Sequence, residues 1–379
     1  SFIHRALYNQ KYFIKSMNRS NLHLHFFVQK RWNSIDYLLK SIPQSPRTTN
    51  IYQSSKSSKS KKSKNLPSER QLKSYRNSIV SPLRLNEIYS PSWRTSYKEN
   101  DLVKSRQFFG NARVELDWTL ADYDEIPDVK YAKLAKEREE KLSSIDPYSR
   151  NETTESMLNS RKTFGIRPEL LRALPEVLFM GHTNVGKSSL INGLLVKNKS
   201  ITGPTQLAYV SARAGFTKTI NCFNFSKKLR IIDSPGYGEY GDLKQGKVVV
   251  DYISRRHQLK KVYVLIDSVE GFREEDSYIF NLLIDEGVPF DIIFTKVDNV
   301  VLKYIPKNAF EANNCYDLIQ TCNDRVVEHY GKLITSSGLQ DIAMTPTFLF
   351  SNANTNKFLP KPAGMNEIQS NILDSCNLL

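Results

Sequence analysis

Short apolar runs alternate with amphipathic segments over the second half of this chain. Val177 to Met180, Ile220 to Phe225, Leu229 to Ile232, Val262 to Ile266, Phe290 to Phe294 and Thr347 to Phe350 are β-rich. Between and after them, Ser188 to Leu195, Lys244 to Arg256, Glu274 to Asp285, Asn308 to Thr335 and Met365 to Asn377 have helical spacing, with a break expected in the fourth. This alternation predicts an α/β fold: a six-stranded, mostly parallel sheet with helices on both faces. Upstream, Asp128 to Ser144 reads as a charged, solvated helix with Glu137 and Lys141 at the favourable i,i+4 spacing. Arg106 to Asp117 reads as a strand or short helix packed on the main domain, and 145–165 as polar loop. No apolar run approaches the ~20 residues of a membrane-spanning helix, and no internal repeat is visible.

Composition adds an asymmetry. The chain has 379 residues, 40% of them hydrophobic, enough for a sizeable core. Its net charge is +15, yet residues 1–100 hold 19 Lys+Arg against 4 Asp+Glu, and the remainder is balanced. A basic, largely disordered arm therefore precedes a neutral body. Residues 1–35 contain no acidic residue. Arg5, Lys11, Lys15 and Arg19 fall on one helical side, and Phe2, Ile3, Leu7, Phe13 and Ile14 on the other. That pattern reads as a mitochondrial targeting segment; the plainer alternatives are a surface helix or an RNA-binding arm. Residues 36–100, with SSKSSKSKKSK at Ser54 to Lys64, read as a basic low-complexity linker. Residues 101–174 read as an N-terminal extension with an insertion, and 175–379 as the main domain. The four cysteines, Cys222, Cys315, Cys322 and Cys376, have neither zinc nor CxxC spacing.

The chemistry starts at Gly181, His182, Thr183, Asn184, Val185, Gly186, Lys187 and Ser188, which satisfy G-x4-G-K-[ST] directly after the run EVLFM. Glycines let such a loop curl so that backbone N–H groups meet phosphate oxygens, and the following helix adds its positive N-terminus. Lys187 reaches the β and γ phosphates, and Ser188 supplies an oxygen to Mg²⁺. Asp233, Ser234, Pro235 and Gly236 (DSPG) end the run LRIID: the aspartate suits Mg²⁺ through water, and the Gly236 N–H suits a γ-phosphate. Thr295, Lys296, Val297 and Asp298 (TKVD) end the run FDIIF. The Asp298 carboxylate can accept both N–H donors of a guanine edge, whereas adenine leaves it unpaired, and the Lys296 stem can cover the base. Gly215, Phe216, Thr217, Lys218 and Thr219 lie where a mobile loop closes over the γ-phosphate. Thr217 is the candidate second Mg²⁺ ligand; Thr219 competes but is expected inside the strand. Phe350, Ser351 and Asn352 end the last strand and can meet the base through backbone groups. Asn184 either shapes the loop or helps hold a monovalent cation, potassium, against the phosphates. Catalytic residues are not otherwise assignable; Asn184 and Thr217 are the candidates.

LPEVLFMGHTNVGKSSLINGLL, GFTKTINCF, DSPGYGEYG, DSVEGFREED and FTKVD, in this order and spacing, resemble the EngB (YihA) family of GTPases. That family lies within the TrmE–Era–EngA–EngB–septin-like group. The resemblance covers 175–379 and extends more weakly to FFGNARVELDWTLADYDEIP at 108–127. It implies a Ras-like P-loop GTPase domain that binds GTP, GDP and Mg²⁺ and acts in large ribosomal subunit assembly. Combined with the N-terminal segment, it implies a monomeric member in the mitochondrial matrix, serving the mitochondrial large ribosomal subunit in assembly or translation. Two places depart from the family pattern: Ala214, Phe216 and Lys218 replace the Pro, Arg and Gln of PGRTQ, and SNA replaces the SS pair. Tyr237 follows Gly236, where a Ras-type enzyme carries the Gln that orients water. Hydrolysis is then slow or uses a residue or cation supplied otherwise; the plainer reading is that Tyr237 is a packing residue on the loop, and the two are compatible. A nucleotide-binding adaptor with negligible hydrolysis is the alternative from another class.

Overall fold

The structure, a computed structural model, describes residues 67–90, 97–144, 152, 155–156, 163–195, 219–237 and 243–379. The helices are α1 (Glu69–Ser78), α2 (Pro82–Ile88), α3 (Glu99–Asn111), α4 (Pro127–Ser143), α5 (Lys187–Leu195), α6 (Leu243–Arg255), α7 (Glu274–Asp285), α8 (Val297–Tyr304), α9 (Cys315–Ser337) and α10 (Met365–Ser375). The strands are β1 (Val114–Leu120), β2 (Glu176–Gly181), β3 (Ile220–Phe225), β4 (Leu229–Asp233), β5 (Leu259–Asp267), β6 (Phe290–Thr295) and β7 (Phe348–Phe350). Their order in the sheet is β1-β3-β4-β2-β5-β6-β7. The pairs from β4 through β2, β5 and β6 to β7 are parallel, while β1–β3 and β3–β4 are antiparallel.

Period-2 alternation divides the sheet's side chains between two cores. Leu178, Met180, Val264, Ile266 and Phe294 face one side, with Tyr252 of α6, Leu283 of α7, Val300 of α8 and Val326 and Tyr330 of α9. Val177, Phe179, Leu265 and Ile293 face the other, with Phe109 of α3, Ile191 of α5 and Ile372 of α10. β2, buried throughout, lies in the middle and delivers its C-terminal end, Gly181, to the phosphate motif.

The sheet has seven strands where six were expected. The extra one is β1, which starts within the stretch 106–117 read as strand or short helix and runs past it, while the first residues of that stretch end α3; β1 joins β3 at the sheet's edge. Its sequence VELDWTL alternates only partly, and a register shift between Leu116 and Trp118 falls at Asp117. There Asp117 binds the buried Arg230 guanidinium at 2.9 Å, while Glu176 receives Arg256 through two bonds of 2.7 Å. These ion pairs fasten β1 and the start of α4, through Asp128 at 2.8 Å from Arg256, to the first residue of β2.

Part of the stretch read as a low-complexity linker is folded. Ser68 and Gln71 form a capping box on α1, and Ser81 with Pro82 starts α2. Ile79, Val80 and Leu85 are buried in the main core, so residues 67–90 pack against the body. The expected break in Asn308 to Thr335 is present: a short turn at Ala309–Glu311 precedes α9. The targeting segment and the lysine-serine run lie outside the described residues.

Candidate nucleotide-binding site

Gly181 leaves β2 with φ 154°, and a Cβ there would lie 2.8 Å from the Leu265 carbonyl oxygen and 2.9 Å from Val185 Cγ1. Only glycine fits this close approach. Asn184 (φ 65°) and Gly186 (φ 104°) complete the curl in left-handed conformations. Asn184 is exposed at its crest. Lys187 opens α5 and folds back, its Nζ donating to Gly181 O at 3.0 Å and His182 O at 3.4 Å. Burial lowers its pKa, opposed by the Asp233 carboxylate. Ser188 follows in the first turn of α5. Thr295 Oγ1 donates to Val185 O at 2.6 Å and so fastens the TKVD segment to the phosphate loop.

Asp233 closes β4 next to that loop. It is buried, and its Oδ1 has no partner among the described residues. Desolvation pushes its carboxyl up to about 6, with the Lys187 ammonium pulling the other way. Ser234 Oγ donates to Phe179 O at 2.9 Å, bracing the turn. Gly236 is pressed against Thr183, whose Oγ1 and N would lie 2.8 and 2.9 Å from an added Cβ. Tyr237 then pairs with the loop in a short parallel bridge: its N–H donates to Gly181 O and its carbonyl accepts from Thr183 N–H, both at 3.3 Å.

The base-side residues converge at the ends of β6 and β7. Lys296 takes a left-handed conformation (φ 56°) before α8, and its ammonium sits 2.7 Å from Asp267 Oδ2. Asp298 is buried, its Oδ1 lacks a partner among the described residues, and desolvation raises its pKa. Val297 is buried in the core and donates its N–H to Ser351 O at 3.3 Å. Ser351 N–H donates to Phe294 O at 2.9 Å. Phe350 turns inward against Phe294 and Tyr330, with ring centroids 5.3 and 4.9 Å away. Asn352 spends its amide on Asn354 O and Lys361 O. The expected backbone contacts are not open here: the Phe350 N–H is taken by Asn86 Oδ1 at 2.9 Å. The Asn352 N–H and carbonyl both pair with Ala363, at 3.2 and 3.3 Å, because a loop folds back on the end of β7. Asn352 Oδ1 is the buried oxygen left without a partner among the described residues.

Of the mobile-loop candidates, Gly215, Phe216, Thr217 and Lys218 lie outside the described residues. Thr219 is described. It stands one position before β3, which starts at Ile220, rather than inside the strand as expected; strand ends shift by a residue or two with hydrogen-bond criteria.

The sequence assigned no role to Asp267, Arg273 or Asp276. A cavity of about 180 Å³ lies between the phosphate loop and α7, lined by these three with Asn184 and Lys296. Asp276 Oδ1 accepts the Tyr237 hydroxyl at 2.7 Å and lies 3.4 Å from His182 Nε2, while Oδ2 caps α7 through Arg273 N–H. The signal was the acidic cluster after GFR, which marks a helix start.

Residues 176–296 match the family described as 50S ribosome-binding GTPase. Over 297 residues the chain is 31% identical to MIOREX complex component 8 of Saccharomyces cerevisiae, covering 78% of this chain and 80% of that protein. It is 43% identical over 134 residues to the probable GTP-binding protein EngB of Rickettsia akari, 34% of this chain and 60% of that protein. The chain belongs to the EngB family of GTPases. The segment shared with the bacterial EngB relatives spans about three-fifths of their length. A solved structure titled as a probable GTP-binding protein EngB is similar at 17% identity and TM-score 0.30, over 53% of this chain and 98% of that one.

Proposed function

We propose that this EngB-type protein hydrolyses GTP to GDP and phosphate as a nucleotide-dependent switch in assembly or translation by the mitochondrial large ribosomal subunit. Asp298 carries the nucleotide half of the reading: a buried carboxylate oxygen without a partner among the described residues, in the TKVD position, suits a ligand with N–H donors. Guanine has them. Lys187, Gly181 and Gly186 shape the loop for the phosphates, and Lys296, held by Asp267, offers its stem to the base.

The donor set also suits Mg²⁺. Asp233 keeps an oxygen beside the loop without a partner among the described residues, and Ser188 and Thr217 supply the direct oxygens in this reading. When bound, the ion neutralises charge on the β and γ phosphates. Asn184 is the residue to hold potassium there. The Tyr237 hydroxyl is engaged by Asp276, which supports slow intrinsic hydrolysis and keeps the adaptor reading in play. The ribosomal half rests on the matched family's description as ribosome-binding and on the MIOREX relative. The matrix location rests on the acid-free amphipathic start. The protein is read as a monomer.

GTP turnover by the full chain, measured with and without purified mitochondrial large subunits, tests this. Turnover that rises with the subunits supports the switch; none in either condition favours the adaptor.

A further inference from the structure

β7 has three residues and lies at the edge of the sheet, yet the base-side residue Ser351 hangs on its end. Ile292 N–H reaches Thr347 O and Ser351 N–H reaches Phe294 O. The alternate residue, Phe350, therefore points its backbone groups away from β6. An outward amide on an edge strand ordinarily meets water. Here Asn86 Oδ1, from α2, accepts it at 2.9 Å across 264 positions of sequence. The carbonyl side is closed as well: a Cβ at Gly364 would collide with Phe350 O.

α2 is itself well fixed. Leu85 is fully buried, the Tyr89 ring sits 5.6 Å from the Phe350 ring, and the Tyr89 hydroxyl donates to Val327 O of α9. α1 reaches the second base-side loop. Arg76 Nε donates to Lys357 O at 2.9 Å. The preceding residue, Asn356, gives its amide to Asp298 O at 3.0 Å and accepts the N–H groups of Phe358 and Leu359 at 2.8 Å. Two separate links thus run from one helical pair to the two loops that carry Ser351 and Asp298.

We infer that α1 and α2 position the guanine-reading loops, with Asn86 the positioning residue that sets the Phe350–Asn352 backbone. Asn86 acts through Phe350 and touches no nucleotide. The inference rests on the reading of Asp298 and Ser351 as base contacts. A binding constellation tolerates misplacement of only about 0.5 Å, and a strand with three paired residues has few ladder bonds to supply that precision. Asn86 adds the missing constraint from the open side.

The test uses the full chain and a fluorescent GDP, with ADP as competitor. Asn86→Ala should weaken GDP binding by about tenfold, mainly through faster release, and should narrow the preference for GDP over ADP. Asn86→Asp keeps the acceptor oxygen and should restore most of both. Tyr89→Phe loses the bond to Val327 but leaves the Phe350 amide alone; it should lower the melting temperature and spare the preference. Where Asn86→Ala does not fold, Arg76→Ala reads the second link and should likewise hasten GDP release. Wild-type affinity and preference in a folded Asn86→Ala protein would overturn the inference. So would losses in Asn86→Ala and Tyr89→Phe that merely track stability. A wild-type protein with no preference for GDP over ADP would instead overturn the guanine reading beneath it.

Discussion

The Tyr237 hydroxyl donates to Asp276 Oδ1 at 2.7 Å and ties the DSPG turn to the N-terminus of α7. Desolvation, reinforced by the Asp276 carboxylate, pushes the phenol well above its ordinary pKa, so it stays a donor at physiological pH. The His182 ring packs 4.6 Å from the Tyr237 ring and completes the contact. These contacts suit the packing reading of Tyr237, on which the hydroxyl has no part in orienting water. Tyr237→Phe should cost about 1–2 kcal/mol of stability, because a buried carboxylate oxygen loses a donor. Its GTP hydrolysis rate should stay within about threefold of wild type, a small barrier change. Thermal unfolding and single-turnover hydrolysis check the two halves separately.

Asp298→Asn should weaken GTP binding by on the order of a hundredfold and shift preference toward xanthine nucleotides, since an amide presents a donor where guanine also has one. Competition of GTP, XTP and ATP for the wild type and the variant checks this. ATP competing equally with GTP in the wild type would contradict the role given to Asp298.

The raised carboxyl of Asp233 has two consequences of opposite sign. Between 3.8 and about 6 the folded protein holds a proton that the unfolded chain has released. Stability of the nucleotide-free protein should therefore fall as pH rises through that window. Mg²⁺ needs the carboxylate form, so the gain in nucleotide affinity on adding Mg²⁺ should emerge as pH rises through about 6. Asp233→Asn should abolish that pH-dependent gain. Comparing wild type and variant in Mg²⁺ and in EDTA from pH 5 to 8 cancels titration of the phosphates themselves.

Asn184 stands exposed at the crest of the phosphate loop with φ 65°. If it holds potassium beside the phosphates, GTP hydrolysis should be about tenfold faster in potassium than in sodium, through added positive charge on the transition state. Asn184→Ala should remove the difference. Equal rates in both salts would leave Asn184 with loop shaping alone.

Much of the site was legible because phosphate and base recognition force particular residue types into fixed order. GHTNVGKS, DSPG and TKVD each follow a buried strand, and the structure brings Lys187, Asp233, Thr295 and Asp298 to one end of the sheet. The folded stretch of 67–90 was harder to see. The first helix, α1, is strongly polar and buries no residue, and the docking depends on the Ile79-Val80 pair in the connection and on Leu85 in α2, too few and too widely set to stand out among arginines and serines. Only the Ser68–Gln71 capping box and the Ser81-Pro82 pair announced helix starts. β1 was ambiguous for a similar reason: Glu115 and Asp117 interrupt its alternation, and Asp117 is held by Arg230, a partner 113 positions away that no local pattern reveals. Tyr237 pairing with Asp276 is likewise a tertiary event.

On the proposed function, the nucleotide governs engagement of the mitochondrial large subunit. Co-sedimentation of the full chain with purified subunits, in a GTP analogue, GDP or no nucleotide across a salt series, tests it most directly. Binding should be strongest with the GTP analogue. Deleting residues 50–65 should weaken it mostly at low salt while keeping the nucleotide dependence, because that basic run contributes only sequence-independent attraction to rRNA phosphates. Thr217→Ala should leave a salt-sensitive remainder that no longer distinguishes GTP from GDP. No association in any nucleotide state, at any salt concentration, would rule out a nucleotide-dependent role at the large subunit.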